Sequence, residues 1–520
     1  MFKKIYKIFP VIFLSAIAIL INYYYGSLGV LPINTFSYFD TGFRILNGEV
    51  PFVDYWTISG PFIDLLQAFY FSVFGVNWNS YILNGSIINL IVTLVSFSFF
   101  KKLGLDIKYS FFYSACLAIL ANPSMGTPFP DHYSSFFSFF AIISFIYALE
   151  TKIKIYWFLV PVLFFIAFFC KQTPSAYVNL IFAANFLLYL LIRKDFDFFK
   201  PVLLGILFSL FSLFLFIWVN NIKLHDFITQ YFLFPQTIGL YRATEWNFTF
   251  NKLVENLKLI HIVLLPLIFL FLKKIFFENN YRIKKEFFYN LSIISYSISL
   301  IFHQLLTLNF IFIFFLIPLL CAMTQINIKK ENYNKMITIF LVSICIVATA
   351  KYHLRFNEQR KMHILEDINL EKFYNANKIS PKLNGLKWIS RRNVLSSGDE
   401  VKRIFKIKSA LKKEQKKIMF LSNYNFFSVI LNKQLNSPNR WYGSDVSHPA
   451  KNNLYYDDYI HFNYKLILKK KIEKIYIDTD LGSYYINASD EILNFFPSGC
   501  SKIEEIEDVL VVYDISNCYH

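Results

Sequence analysis

The chain has 520 residues, 55% of them hydrophobic and 20% aromatic, with a formal net charge of +17 and a mean hydropathy of +0.42. Soluble domains average roughly 45–50% apolar residues, so a wholly soluble globular protein is excluded. The excess charge does not point to nucleic acid: the bases lie in short loops between apolar runs, or are scattered among acids after residue 350 with no arginine-rich stripe. Abundant Lys, Asn, Ile and Phe with little Gly reflect an AT-rich genome and say nothing about chemistry.

Apolar runs of about 16–22 residues, long enough for a hydrocarbon core of about 30 Å, recur up to residue 350. Backbone groups in lipid have no water partner, so each run must be helical. Spans are predicted near 9–25, 78–100, 108–121, 133–149, 155–170, 174–192, 201–219, 258–273, 287–302, 308–323 and 335–350. The first is not a cleaved signal peptide. No small-residue cleavage site precedes Tyr23-Tyr24-Tyr25, and that triplet suits an interfacial belt. Alternate loops carry about 19 Lys and Arg on one side and about 5 on the other, which predicts a cytoplasmic N-terminus. With an odd number of spans, the tail falls outside. The expected fold class is an α-helical polytopic membrane domain over 1–350, with a small soluble α/β domain over 351–520.

The outer side holds the reactive groups. The long first outer loop, 26–77, contains Asp40, Arg44, Glu49, Asp54 and Asp64. The second leads into Asp131-His132, and two later span ends carry Lys171-Gln172 and His303-Gln304. Arg242 lies in another outer loop. Polar groups at membrane depth are costly and tend to mark function. Together they could surround one cavity open to the outside. Each also has a plainer reading. Asp40 could cap a helix over 41–47, Asp54 could sit in a turn, and Asp131 could cap the fourth span. Asp131-His132 could be an ordinary surface pair, Lys171 could snorkel at a helix end, and His303-Gln304 could pack at the interface.

In the tail, 416–433 reads as strand, turn and helix, and "IEKIYIDTD" and "DVLVVYDI" read as strands. The loop Asn436 to Pro449 could face a sugar or a lipid, or simply pack. Of six cysteines, only Cys500 and Cys518 belong to the tail. An outside location is oxidising, so a disulfide between them is expected.

The first outer loop resembles that of the GT-C glycosyltransferases, in particular the bacterial protein-mannosyltransferase-like and aminoarabinose-transferase-like families. The family pattern is a span, an acid some fifteen positions on, then G-x-x-P-(Y/F)-x-D and a Gly-Pro. Here it reads Asp40, Gly48-Glu49-Val50-Pro51-Phe52-Val53-Asp54 and Gly60-Pro61. Tyr70 to Gly75 resembles the loop's common ending. Cys170-Lys171-Gln172-Thr173 resembles the K-Q-(T/S)-G of a later span end, with Pro174 in place of Gly. Asn384 to Ser390 resembles the start of the family's outer domain. Asp40 is followed by Thr41, where many members have Asp-Glu.

The resemblance implies a bacterial cell-membrane enzyme, with its outer domain extracytoplasmic, that takes a sugar from a polyprenyl-phosphate carrier and transfers it with inversion. The acceptor is a glycan, lipid or protein. Such a reaction needs a carboxylate to take the acceptor proton and positive charge beside the leaving phosphate. Asp40 is the expected base. Lys171 is the expected phosphate ligand, with Arg44 and Arg242 as weaker ones. Asp131, His132, Gln172, His303 and Gln304 are expected around the substrate. Asp54, Asp131 and His132 could hold a divalent ion such as Mg or Mn. A lipid-linked oligosaccharide flippase or transporter would need polar groups along the span interiors, and these are nearly free of charge. An O-antigen polymerase or ligase would carry its large outer loop late in the chain.

Overall fold

The computed structural model describes residues 2–121, 126–244, 249–329, 335–361, 365–366, 372–391, 398–482 and 492–519. In chain order the helices are α1 (Phe2–Gly26), α2 (Pro32–Leu46), α3 (Phe62–Phe74), α4 (Trp78–Lys102), α5 (Ile107–Leu120), α6 (Pro130–Thr151), α7 (Lys154–Cys170), α8 (Gln172–Arg193), α9 (Phe199–Val219), α10 (Leu224–Ile228) and α11 (Phe234–Thr244). They continue with α12 (Phe250–Phe277), α13 (Lys285–Thr307), α14 (Leu316–Lys329), α15 (Lys335–His353), α16 (Asp399–Lys413), α17 (Phe427–Leu431) and α18 (Tyr456–Lys470).

The eleven predicted spans fall on α1, α4 to α9 and α12 to α15. Seven of these, α1, α4, α6, α8, α9, α12 and α15, are long and apolar enough to cross a membrane. Several starts differ: α1 begins at Phe2 rather than 9, α12 at Phe250 rather than 258, and α14 at Leu316 rather than 308. The Gln304 side-chain oxygen accepts the backbone N–H of Ile311 and Phe312 at 3.2 and 3.4 Å. It satisfies an irregular stretch that apolarity alone reads as helix.

Contacts divide the chain into two compact units. The first comprises 1–26, 82–215 and 242–366, the second 27–81, 216–241 and 367–520. In the first unit α6 packs on α7, and α8 on α13. Some of its buried polar groups pair with one another, which offsets the cost of placing them at lipid depth. Asn290 and Asn327 exchange amide hydrogen bonds of 3.0 and 2.8 Å. Gly26 and Gly126 let two backbones touch; a Cβ on Gly126 would lie 2.1 Å from the Gly26 nitrogen.

In the second unit the largest sheet contains β5 (Ile418–Leu421), β6 (Lys474–Asp478), β7 (Lys502–Ile506) and β8 (Leu510–Asp514), in the order β5-β6-β8-β7. Shorter pairs are β1 (Arg360–Lys361) with β2 (Leu365–Glu366), in the first unit, and β3 (Tyr374–Asn375) with β4 (Lys387–Trp388). β5 and β6 are parallel, Ile418 opposite Lys474, and the intervening chain includes α18, as a parallel crossover requires. β7 and β8 form an antiparallel hairpin turned by Glu507 and Asp508, both at positive φ. The expected α/β fold of the tail is thus present. Its core contains Met419, Ile475, Ile477 and Tyr513, and also Trp56 from the segment between α2 and α3. The Trp56 backbone N–H donates to the Pro438 carbonyl at 2.7 Å. Cys500 and Cys518 are joined by a disulfide with Cα atoms 5.0 Å apart. The remaining cysteines, Cys116, Cys170, Cys321 and Cys345, are buried and free.

Candidate functional site

In the second unit, Pro32 opens α2 with its φ preset and no N–H to satisfy. Asn47 ends the helix and Gly48 follows at φ +83°. Asp40 is therefore mid-helix. Leu31 is the N-cap residue, so the capping reading of Asp40 fails. Spacing of four puts Phe36, Asp40 and Arg44 on one face, and the C-terminal segment meets all three. The Phe36 ring centroid lies 4.7 Å from that of Phe426. The Ser428 hydroxyl donates to Asp40 Oδ1. Arg44 Nη2 donates to the Ser437 carbonyl at 2.6 Å.

Arg44 is held on several sides. Its Nε donates to Glu49 Oε2 at 2.6 Å, and its guanidinium stacks over Tyr55 at 4.4 Å. Nη2 also reaches the Asp54 carbonyl at 3.3 Å. Nη1 lies 3.6 Å from Asp40 Oδ2 and makes no hydrogen bond among the described residues. Burial pushes the Asp40 carboxyl up to about 6, although the Arg44 charge and the Ser428 hydrogen bond both pull it down. A carboxylate near 6 is largely ionised at neutral pH yet basic enough to accept a proton. Asp40 and Arg44 line a cavity of about 270 Å³, counting the part open to solvent, whose wall includes Tyr424, Asn425, Ser428, Asn436 and Ser437.

Two neighbouring acids have structural partners. Asp54 Oδ2 accepts the Val50 N–H at 2.8 Å, closing a turn, and Oδ1 pairs with Lys469 at 2.9 Å and Lys470 at 3.1 Å. Burial opposes its charge, but those lysines and the Val50 N–H take its carboxyl below the ordinary value. Asp64 accepts from Thr41 Oγ1 at 2.5 Å and pairs with buried Arg440.

The first unit holds a second cluster. Asp131 is 2% exposed, and Pro130 precedes it in the first turn of α6. Its oxygens take Lys171 Nζ at 2.7 Å and His303 Nε2 at 2.9 Å. Lys171 is thus engaged by a buried acid rather than snorkelling freely. The adjoining residues have other neighbours. His132 is buried against the rings of Phe136 and Phe312, at 5.7 and 5.1 Å. The Gln172 carbonyl accepts from Ser175 Oγ at 3.0 Å. Gln304 serves the loop before α14, as described. Arg242 is partly exposed at the end of α11. Among the described residues, no group of three or more His, Cys, Asp or Glu is arranged to hold a metal ion. Sequence reasoning missed Ser428 and Arg440. A serine in a short helix and an arginine in a loop carry no local signal of a partner some 380 positions away.

No protein-family model matches the chain, and no curated protein does. Its structure is similar to two crystal structures of ArnT from Cupriavidus metallidurans. The apo form is 10% identical with a TM-score of 0.47. The form bound to undecaprenyl phosphate is 9% identical with a TM-score of 0.47. Each similarity covers 97% of both chains.

Proposed function

We propose that this chain is a membrane glycosyltransferase of the GT-C kind, which moves a sugar from a polyprenyl-phosphate carrier to an acceptor hydroxyl or amine. The observation that carries the reading is Asp40: a buried carboxylate in a cavity, its carboxyl raised to about 6, at the position of the family's first-loop acid. The acceptor oxygen or nitrogen bonds to the anomeric carbon as its proton passes to Asp40. The bond from that carbon to the phosphate oxygen breaks, and its electron pair leaves with the phosphate. One displacement inverts the anomeric centre. The leaving phosphate needs a cation, and a basic side chain is the proposed supplier. Arg44 is held through Nε and Nη2 beside Asp40, so its proposed role is to keep that carboxylate ionised.

Release of radiolabelled sugar from polyprenyl phosphate, in membranes holding the wild type or the Asp40→Asn variant, tests the proposal. Transfer by the wild type and none by the variant is expected. Wild-type turnover in the variant removes Asp40 as base. No release by the wild type with any polyprenyl-phosphate sugar removes the reaction class.

A further inference from the structure

We propose that Ser428 is a positioning residue for Asp40, so that the C-terminal segment completes the acceptor pocket; this rests on reading Asp40 as the base. Ser428 lies in α17 and is buried. The residues before it lock α17 in place: Phe426 packs against Phe36 of α2 and against Trp388, with centroids 4.7 and 5.6 Å apart, and Phe427 stacks on Phe426 at 4.7 Å. Its hydroxyl therefore meets Asp40 from a rigid support, and its one proton goes to Oδ1.

That bond divides the labour between the two carboxylate oxygens. Oδ1 is occupied. Oδ2 is left towards Arg44 Nη1 at 3.6 Å, beyond hydrogen-bond distance. Arg44 cannot swing in to close the gap, because Glu49 and the carbonyls of Asp54 and Ser437 hold it. Oδ2 is thus the atom available to an acceptor proton. The cavity wall is polar at Asn425, Asn436 and Ser437 and aromatic at Phe420, Tyr424 and Phe427. The other ionisable groups facing Asp40 are Arg44 and Glu49, with Tyr424 on the cavity wall donating to Glu400 at 2.6 Å.

The bond stabilises the ionised form of Asp40, which is the form that accepts the proton. Its loss should move the acid limb of the pH–rate profile upward, by roughly half a unit to one unit. The test is kcat/KM for the carrier-linked sugar and acceptor against pH, for wild type, Ser428→Ala and Ser428→Thr in the full-length protein. The Ala variant should lose activity most below about pH 7 and recover towards a plateau at high pH; the Thr variant, which keeps a hydroxyl, should restore the wild-type limb. A limb unmoved in the Ala variant, or a uniform loss at every pH, overturns the proposal. If the Ala variant does not accumulate in membranes, Ser428→Cys, a weaker donor, replaces it with the same criterion. An inactive Asp40→Asn variant beside an unmoved Ser428→Ala limb rejects this inference alone. An active Asp40→Asn variant rejects the functional reading beneath it.

Discussion

At the scale of single residues, the second unit keeps a buried carboxylate in a costly state. Burial lifts the Asp40 carboxyl above its ordinary 3.8, to about 6. The folded form therefore binds a proton more tightly than the unfolded chain, and stability falls as pH rises from about 4 to about 6. Above that window the fold carries the full cost of the ionised group. The Asp40→Asn variant is accordingly expected to melt at the wild-type temperature or higher at pH 8, while transferring no sugar. A clearly lower melting temperature would mean that the charge stabilises the fold. The pH–rate profile of the wild type should fall on its acid side through about pH 6. Asp131 presents the opposite case, a buried acid with two close partners. Asp131→Ala would strand Lys171 against a buried site, and breaking such a pair costs about 3–5 kcal/mol. A marked drop in melting temperature in detergent is expected, and an unchanged one would show the pair to be energetically idle.

At the scale of elements, α3 and the disulfide carry distinct expectations. On α3, Leu65, Phe69 and Val73 are exposed at spacings of four, while Ile63, Asp64, Gln67 and Ala68 are buried. In a chain with spanning helices, such a stripe suits a helix lying in the membrane interface. A tryptophan introduced by Phe69→Trp should be quenched by brominated lipids, and one left unquenched would place this face in water. The Cys500–Cys518 bridge closes a loop with a sequence separation of 18, worth about 3 kcal/mol in the chain-entropy view. Replacing both cysteines with serine should lower the melting temperature of the C-terminal segment. The motif residues of the first loop were legible because each sits within one local stretch. Their partners were not. The turn that Asp54 closes is local, but Lys469 and Lys470, which neutralise it, come from α18.

At the scale of the molecule, the sequence-level boundary at residue 350 and the contact-defined units are drawn on different grounds. Hydropathy separates apolar from polar chain, whereas contacts gather 27–81 with 367–520. The C-terminal segment covers the α2 face through Phe426, Ser428 and the Ser437 carbonyl, and Trp56 enters its core. A chain ending at residue 366 is therefore expected to insert its spans but to be inactive, with the 27–77 segment open to protease. Protection equal to that of the full chain would show that the loop folds without the C-terminal segment.

The sequence by itself determined the helices, because lipid leaves the backbone no partner but itself and an apolar run of sufficient length has one solution. It also singled out Asp40, since the acid lies in a recognisable local pattern, and it singled out the two tail cysteines by exclusion. Only the tertiary structure decided what surrounds those groups. Hydrogen-bond partners such as Ser428 for Asp40 and Arg440 for Asp64 lie 388 and 376 residues from the acids they meet. Pairings at that separation arise when packing brings distant faces together. Periodicity along a helix can show which face is buried, but not which residue will be waiting on the other side.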